Sequence, residues 1–289
     1  MTTVSFPIPL RTKRRRIMPG FGLSLGYTMV YLSLLVLIPL GSLFLKSAQL
    51  SWSEFWSTIN EPFVRSSLLF SFQVSAIAAA VNGVFGLLVA WVLVRYSFPG
   101  RRIFDALIDF PFALPTAVAG LTFSNLYSPN GWIGQLHLGP LNLAFSNTKV
   151  GVVIVLVFVG LPFIVRTVQP VLQDLDKDIE EAAGSLGASR WYTFRRVIFP
   201  HLYPAWLAGL ALSFARSVGE YGSVIFMASG VPGETLKDTS QIAPLQIFIK
   251  LDDFRYSQAT AIAVVLLVTS LAVLLAINGL EWWTKRKEV

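Results

Sequence analysis

The chain has no cysteine and only two histidines, His137 and His201, among its 289 residues. Disulfides and thiolate metal sites are excluded, and two histidines so far apart give no metal-binding cluster. Charge is scarce too: Asp, Glu, Lys and Arg make up 13% of the chain, against roughly 25% in a soluble domain. No Gly-x-x-x-x-Gly-Lys-Ser/Thr run is present, so there is no loop to cradle ATP phosphates. No nucleophile, base and orienting group stand together in a polar segment. The chain is expected to be neither an enzyme nor a cofactor-binding protein, with no catalytic residue and no metal ligand.

Apolar side chains dominate instead, at 54% of the sequence, with a mean hydropathy of +0.63. That places the chain in a membrane class. The net charge of +7 does not point to nucleic acid, because the cations cluster beside apolar runs and have a topological meaning. The expected partner of most of the surface is a lipid bilayer.

Six apolar spans are expected, near residues 21–45, 66–94, 103–127, 150–171, 203–228 and 257–280. The first is longer than the ~7–15-residue apolar region of a cleaved signal peptide and ends without a clear small-x-small site, so it reads as a retained span. The fold class is all-α and integral to the membrane. Residues 1–16 form a basic cytoplasmic terminus, 17–65 the first span and its connection, 66–280 the transmembrane domain, and 281–289 a cytoplasmic end.

Several spans carry interruptions. Pro111 and Pro115 are expected to kink the third span, and Gly160 with Pro162 to interrupt the fourth. The second is rich in small and hydroxyl residues that let helices pack closely, and its Asn82 reads more readily as inter-helix glue than as a solute contact. Asp105 and Asp109 lie one turn apart, and are expected to pair with Arg101, Arg102 or a neighbouring helix. Trp52 and Trp56 are expected to share a helix face at the membrane interface.

An even number of spans puts both termini on one side, and the cations say which. Sixteen Lys and Arg fall on the side of the termini, the 95–102 turn and the 166–196 region, against six on the other, with Arg216 inside a span. Lys and Arg favour the cytoplasm, so both termini and the 172–200 loop are expected there.

That loop is the longest polar interruption in the chain. Asp174, Asp176, Asp178 and Glu180 lead into Glu181-Ala182-Ala183, a helix-forming run, and Gly184 and Gly187 allow an end or turn before Arg190–Ile198 restarts a helix. The expected product is a cytoplasmic helix–turn–helix between the fourth and fifth spans. It is either an ordinary amphipathic loop helix or a docking element whose small residues approach a partner closely.

Arg216 and Glu220 are the other constellation. Four residues apart, they could pair on one helical face. Charges at membrane depth are costly and mark functional sites by default. They form either a structural ion pair or a pathway element, with Gly219 and Gly222 allowing close approach or local unwinding.

The 172–200 loop resembles the signature loop of ABC-importer permeases: Glu181, Ala182, Ala183, Gly187 and Pro200 match it, while Val197 and Phe199 replace its Ile and Leu without loss of apolar character. The Gly-Glu-Tyr-Gly run at 219–222 and Pro-Phe-Ala-Leu-Pro-Thr-Ala-Val-Ala-Gly at 111–120 look like the sulfate/thiosulfate branch, and within it the T-type subunits. The resemblance implies that Glu180, Glu181, Ala182, Ala183, Gly187, Val197, Phe199 and Pro200 dock on a cytoplasmic ATPase. It implies a W-type second permease, two ATPase copies and a periplasmic sulfate-binding protein, in a bacterial or plastid-type inner membrane. An oxyanion path needs hydroxyls and modest positive potential, for which Ser71, Ser75, Thr116, Thr122, Ser213, Arg216 and Ser217 are the candidates, with Glu220 orienting the anion or anchoring a gate. Molybdate or tungstate permeases are close alternatives. An ATPase-independent ion-coupled carrier is a more distant one, since no internal repeat or matched pair of broken helices is visible.

Overall fold

The computed structural model describes residues 21–138, 141–228 and 241–285. The basic terminus at 1–16, the Gly-Val-Pro-Gly turn at 230–233 and residues 286–289 lie outside the described residues.

Helix α1, Phe21–Ser47, is long and apolar enough to cross a bilayer, and contains one π-helical turn at Ser33–Leu37. Helix α2, Trp52–Ile59, begins with a reciprocal cap: the Ser51 N–H donates to Glu54 Oε2 at 2.9 Å and the Glu54 N–H donates to Ser51 Oγ at 3.2 Å. Trp52 and Trp56 meet edge to face with centroids 5.6 Å apart, as their spacing predicts.

Helix α3 runs through Pro62–Arg95, with its proline in the first turn, where the missing N–H has no intrahelical partner to lose. The region expected to hold the third span is instead three short helices: α4 (Arg101–Ile108), α5 (Phe110–Ala113) and α6 (Thr116–Leu126). The breaks fall at the two prolines. Pro111 opens α5, and Leu114, held extended at ψ 130° ahead of Pro115, separates α5 from α6. Residues 137–142 add a two-residue antiparallel ladder, His137–Leu138 with Leu141–Asn142.

Helix α7, Lys149–Asp174, is capped by Thr148, whose Oγ1 accepts from the Gly151 N–H at 3.0 Å. It runs unbroken through Pro162 and Pro170, so the expected interruption at Gly160 and Pro162 does not occur. A proline removes a single ladder bond, and a helix buried between neighbours tolerates that loss. Helix α8 is Lys177–Ser185. Helix α9, Arg190–Val218, fuses the loop's second helix to the fifth span through a π turn at Phe194–Ile198, and ends ten residues before the expected limit of 228. Gly219 closes it, and a short 3₁₀ turn at Val224–Phe226 follows. Helices α10 (Ala243–Asp252) and α11 (Tyr256–Lys285) complete the order.

Five helices among the described residues, α1, α3, α7, α9 and α11, have the length and apolarity to cross a membrane. Among the described residues the secondary structure is helical apart from the small ladder, as an integral membrane fold requires, because lipid offers no partner to an open backbone. The core lies where α3, α7 and α9 meet: Ala90, Leu93, Ile164, Val168, Leu172 and Leu202 form one buried cluster. Small residues set its spacing. A Cβ on Gly86 would sit 2.7 Å from Ile164 Cβ, so only hydrogen allows α3 and α7 this close. On the far side of α3, Leu69, Ile77, Val84, Leu88 and Val92 are exposed, an apolar stripe suited to lipid.

Candidate coupling and translocation sites

The 172–200 region folds as its sequence predicts, into helix, turn and helix. Asp176 caps α8, its side chain accepting from the Asp178 N–H at 3.2 Å. Gly187 has φ +83°, the left-handed conformation that ends a helix and that side chains resist. Ser189 then caps the next helix, its Oγ accepting from the Tyr192 N–H at 3.3 Å. The turn stands clear of the bundle, and Leu186 at its tip is 89% exposed. Ala183, Leu186, Gly187, Ala188, Ser189, Tyr192 and Val197 line a shallow depression beside it.

The docking candidates separate into two groups. Glu181, Ala182 and Gly187 are exposed, and Ala183 and Val197 line the depression. Glu180 turns the other way, toward Arg95 at the end of α3, 2.7 Å from Arg95 Nη2 to Glu180 Oε1. The same Nη2 donates to the Leu175 carbonyl at 3.2 Å, and the guanidinium lies 6.0 Å from the Trp91 ring centroid. Arg95 is 8% exposed, so α3 and the start of the loop are joined by a largely buried cation. Phe199 belongs to an aromatic ladder, 5.9 Å from the Phe194 and Tyr203 rings and 5.8 Å from Trp206. Pro200 sits half-buried in α9 behind the π turn. Arg95 is absent from the sequence candidates; its only signal was a cation at the end of an apolar run.

The translocation candidates are also divided. Arg216 and Glu220 form the expected ion pair, but Glu220 lies beyond the end of α9 and not on its face. The helix stops at Gly219, and the chain turns so that Glu220, 2% exposed, faces inward. Its Oε1 accepts from the Ser223 N–H at 3.0 Å and the Ser223 hydroxyl at 2.9 Å. Ser223 is the member that sequence reasoning missed. The broken segment is wedged against α6: a Cβ on Gly222 would meet Thr116 Oγ1 at 2.3 Å, and one on Gly120 the Ser223 carbonyl oxygen at 2.4 Å.

Ser213 accepts from Asn82 Nδ2 at 3.2 Å, which ties α9 to α3 and gives Asn82 the expected role of glue. The Ser217 hydroxyl donates to the Ser213 carbonyl at 2.8 Å within its own helix. Ser71 accepts from the Ala243 N–H at 2.7 Å and holds the start of α10. Ser75 Oγ is buried without a partner among the described residues, and Thr122 donates to the Val118 carbonyl at 2.8 Å. The structure thus joins Arg216, Glu220, Ser223 and Thr116 in one locality around the break, and uses Ser71 and Ser217 in packing bonds.

Asp105 and Asp109 find their partner on α7. Arg166 Nε donates to Asp109 Oδ1 at 2.8 Å and Nη2 to Asp109 Oδ2 at 2.7 Å. Nη1 donates to Asp105 Oδ1 at 2.7 Å and to Gln169 Oε1 at 2.6 Å. Of the expected partners, the neighbouring helix is the one that binds the two acids.

Comparison with known proteins adds a family. Residues 82–281 match the model of the binding-protein-dependent transport system inner membrane component. The chain is 46% identical, over 92% of its length and 94% of the relative's, to the sulfate transport system permease protein CysT of Escherichia coli K12. It is 48% identical to the protein of that name from Synechocystis, covering 90% of this chain and 88% of the relative. It is 50% identical to the probable sulfate transport system permease protein of Nephroselmis olivacea, covering 88% and 87%. A bacterial alginate ABC transporter, solved in complex with an alginate pentasaccharide-bound periplasmic protein, shares the fold at TM-score 0.74 and 17% identity, over 89% of this chain and 92% of that one.

Proposed function

From the premise that the chain belongs to the family of binding-protein-dependent transport system inner membrane components, we propose that it is the membrane-spanning permease subunit of an ATP-driven importer of sulfate and thiosulfate. The observation that carries this reading is the exposed helix–turn–helix at 177–198, joined through α7 and α9 to the bundle core, in a chain whose relatives are named sulfate permeases. A motor subunit that grips the turn can move both helices together, because α8 follows α7 after two residues and α9 is continuous with the turn's second helix.

The exposed surface of Glu181, Ala182, Ala183, Leu186 and Gly187 is the docking face for a cytoplasmic ATPase. The small side chains allow close approach, and Leu186 supplies the apolar anchor. Closure of two ATPase copies pushes on this chain and on a W-type sister permease, and the paired bundles rock between outward- and inward-facing states. Both termini lie in the cytoplasm, and the loops at 128–149 and 229–255 face a periplasmic sulfate-binding protein.

The ion pair at the helix break supplies the polar route. A dianion in hydrocarbon costs many kcal/mol unless polar groups replace its water. Arg216 brings positive potential, and Glu220 neutralises part of it, which avoids trapping the anion. Thr116 offers a hydroxyl close by. Arg216 is one-third exposed and Glu220 is buried, so the cation is the accessible member.

The test is reconstitution. The membrane complex is purified through this chain, its subunits are identified, and ATP hydrolysis is measured in proteoliposomes with the binding protein loaded with sulfate, thiosulfate, molybdate or tungstate. Stimulation by sulfate and thiosulfate with uptake of labelled sulfate is expected. Stimulation by molybdate or tungstate alone overturns the substrate, and absence of a co-purifying ATPase overturns the reading altogether.

A further inference from the structure

Resting on the permease reading, we infer that Arg166 is a positioning residue that latches the proline-broken segment α4–α6 to the lever helix α7, so that movement of α7 is delivered to the helix break at 219–223. Every guanidinium nitrogen of Arg166 is engaged. Nε and Nη2 fork onto the two oxygens of Asp109, and Nη1 and Nη2 reach Asp105 Oδ1 and the Asp105 carbonyl oxygen, at 2.7–2.8 Å throughout. Gln169, one turn further along α7, closes the ring by donating to Asp105 Oδ1 at 3.3 Å.

Two features separate this from an incidental surface ion pair. Bidentate arginine–carboxylate pairs fix geometry as well as charge. The second feature is where the latch sits. Asp105 lies on α4 and Asp109 at its end, immediately before the Pro111 and Pro115 breaks, so α4–α6 has no continuous helix to carry a push along its length. A segment broken twice follows another helix only if it is tied to it. The tie at one end is Arg166, and the T-shaped contact of Phe112 with Phe163 at 5.2 Å continues it. At the other end α6 presents Thr116 and Gly120 to Gly222 and Ser223. Arg166 itself lies eight residues before the end of α7 at Asp174, in the half of that helix nearer the coupling turn. The tie therefore spans from the input side of the lever to the wall of the break.

The experiment uses the full complex in proteoliposomes, with Arg166→Gln, Arg166→Lys and Asp109→Asn compared with wild type. Three quantities are read: subunits co-purified, basal ATP hydrolysis, and sulfate taken up per ATP hydrolysed. The expected result is normal assembly and basal hydrolysis, with sulfate per ATP lowered at least about fivefold in Arg166→Gln, the lower end of ordinary coupling effects, and less in Arg166→Lys. The chain has no cysteine, so Asp109→Cys with Arg166→Cys, joined by a short thiol crosslinker, should restore sulfate per ATP above its uncrosslinked level. The latch is overturned if Arg166→Gln keeps the wild-type ratio, if uptake falls only in proportion to lost assembly, or if the crosslink restores nothing. A wild-type complex that moves no sulfate overturns the permease reading instead, so the two failures are distinct.

Discussion

Two alanine substitutions at the exposed turn separate its backbone from its surface. A Cβ added at Gly187 or at Gly184 would meet nothing within 4 Å among the described residues, so neither substitution clashes. Their backbones differ. Gly187 has φ +83°, where a side chain costs about 1–2 kcal/mol. Gly184 lies within α8, where replacing glycine by alanine is worth up to about 1 kcal/mol of helix stability. Gly187→Ala should therefore loosen the turn and Gly184→Ala should tighten it. At about 1.4 kcal/mol per tenfold, amide hydrogen exchange over 177–189 should speed by roughly 5- to 30-fold in Gly187→Ala and slow by up to about fivefold in Gly184→Ala. ATPase co-purification is then measured on the same samples. If the turn is a lever, Gly187→Ala lowers co-purification and uptake. Gly184→Ala does so only if its methyl enters the docking face. Gly187→Ala with unchanged exchange refutes the backbone argument, and faster exchange with unchanged ATPase capture and uptake refutes the docking face.

Other substitutions test other joints. Gly86→Val forces two methyl groups toward Ile164, already 2.7 Å from a Cβ, and should destabilise the detergent-solubilised protein by about 1–3 kcal/mol, read as a lowered Tm. Arg216→Ala leaves the buried Glu220 carboxylate unpaired and should cost about 3–5 kcal/mol, with Arg216→Ala/Glu220→Gln regaining stability but not uptake. Glu54 is held below its ordinary carboxylate value of 4.5, first by the Ser51 N–H and then by the Ser51 hydroxyl. A lowered folded-state pKa gives stability that is present above the unfolded value and lost as pH falls through the folded one. Fluorescence of Trp52 and Trp56 should therefore report loosening of α2 below about pH 4.5 in wild type, and a flat response in Glu54→Gln.

Much of this architecture is legible in composition and spacing, because lipid leaves the backbone few choices. The apolar runs at 66–94, 150–171 and 257–280 became α3, α7 and α11 with a few residues added at each end. The turn at Gly187 was legible because a positive φ favours one residue type. Hydropathy failed where conformation, not polarity, decides. The run from 203 to 228 is apolar enough on average to read as one span, yet α9 stops at Val218 because Gly219 closes it and Glu220 turns back to bond Ser223. Pro162 interrupts nothing, because packing on both sides compensates for one lost bond. The pairing of Glu180 was not legible, since a helix period gives faces but not which face meets α3; its partner Arg95 lies 85 residues earlier. Arg166 was invisible as an organiser for the same reason: its acids lie 57 and 61 residues away.

The exposed tip of the coupling turn also bears on how such a complex is made. Leu186 stands 89% exposed, with Trp191 at 68% and Tyr192 at 57%. On the proposed reading, the motor covers these side chains in the assembled importer. The same reading then leaves them, in a freshly inserted chain that has not yet met its partner, as an uncovered apolar handle of the kind chaperones and proteases recognise. Synthesis of this subunit in excess of its ATPase should then shorten its half-life in the cell, which makes the coupling element a stoichiometry checkpoint as well as a transmission part.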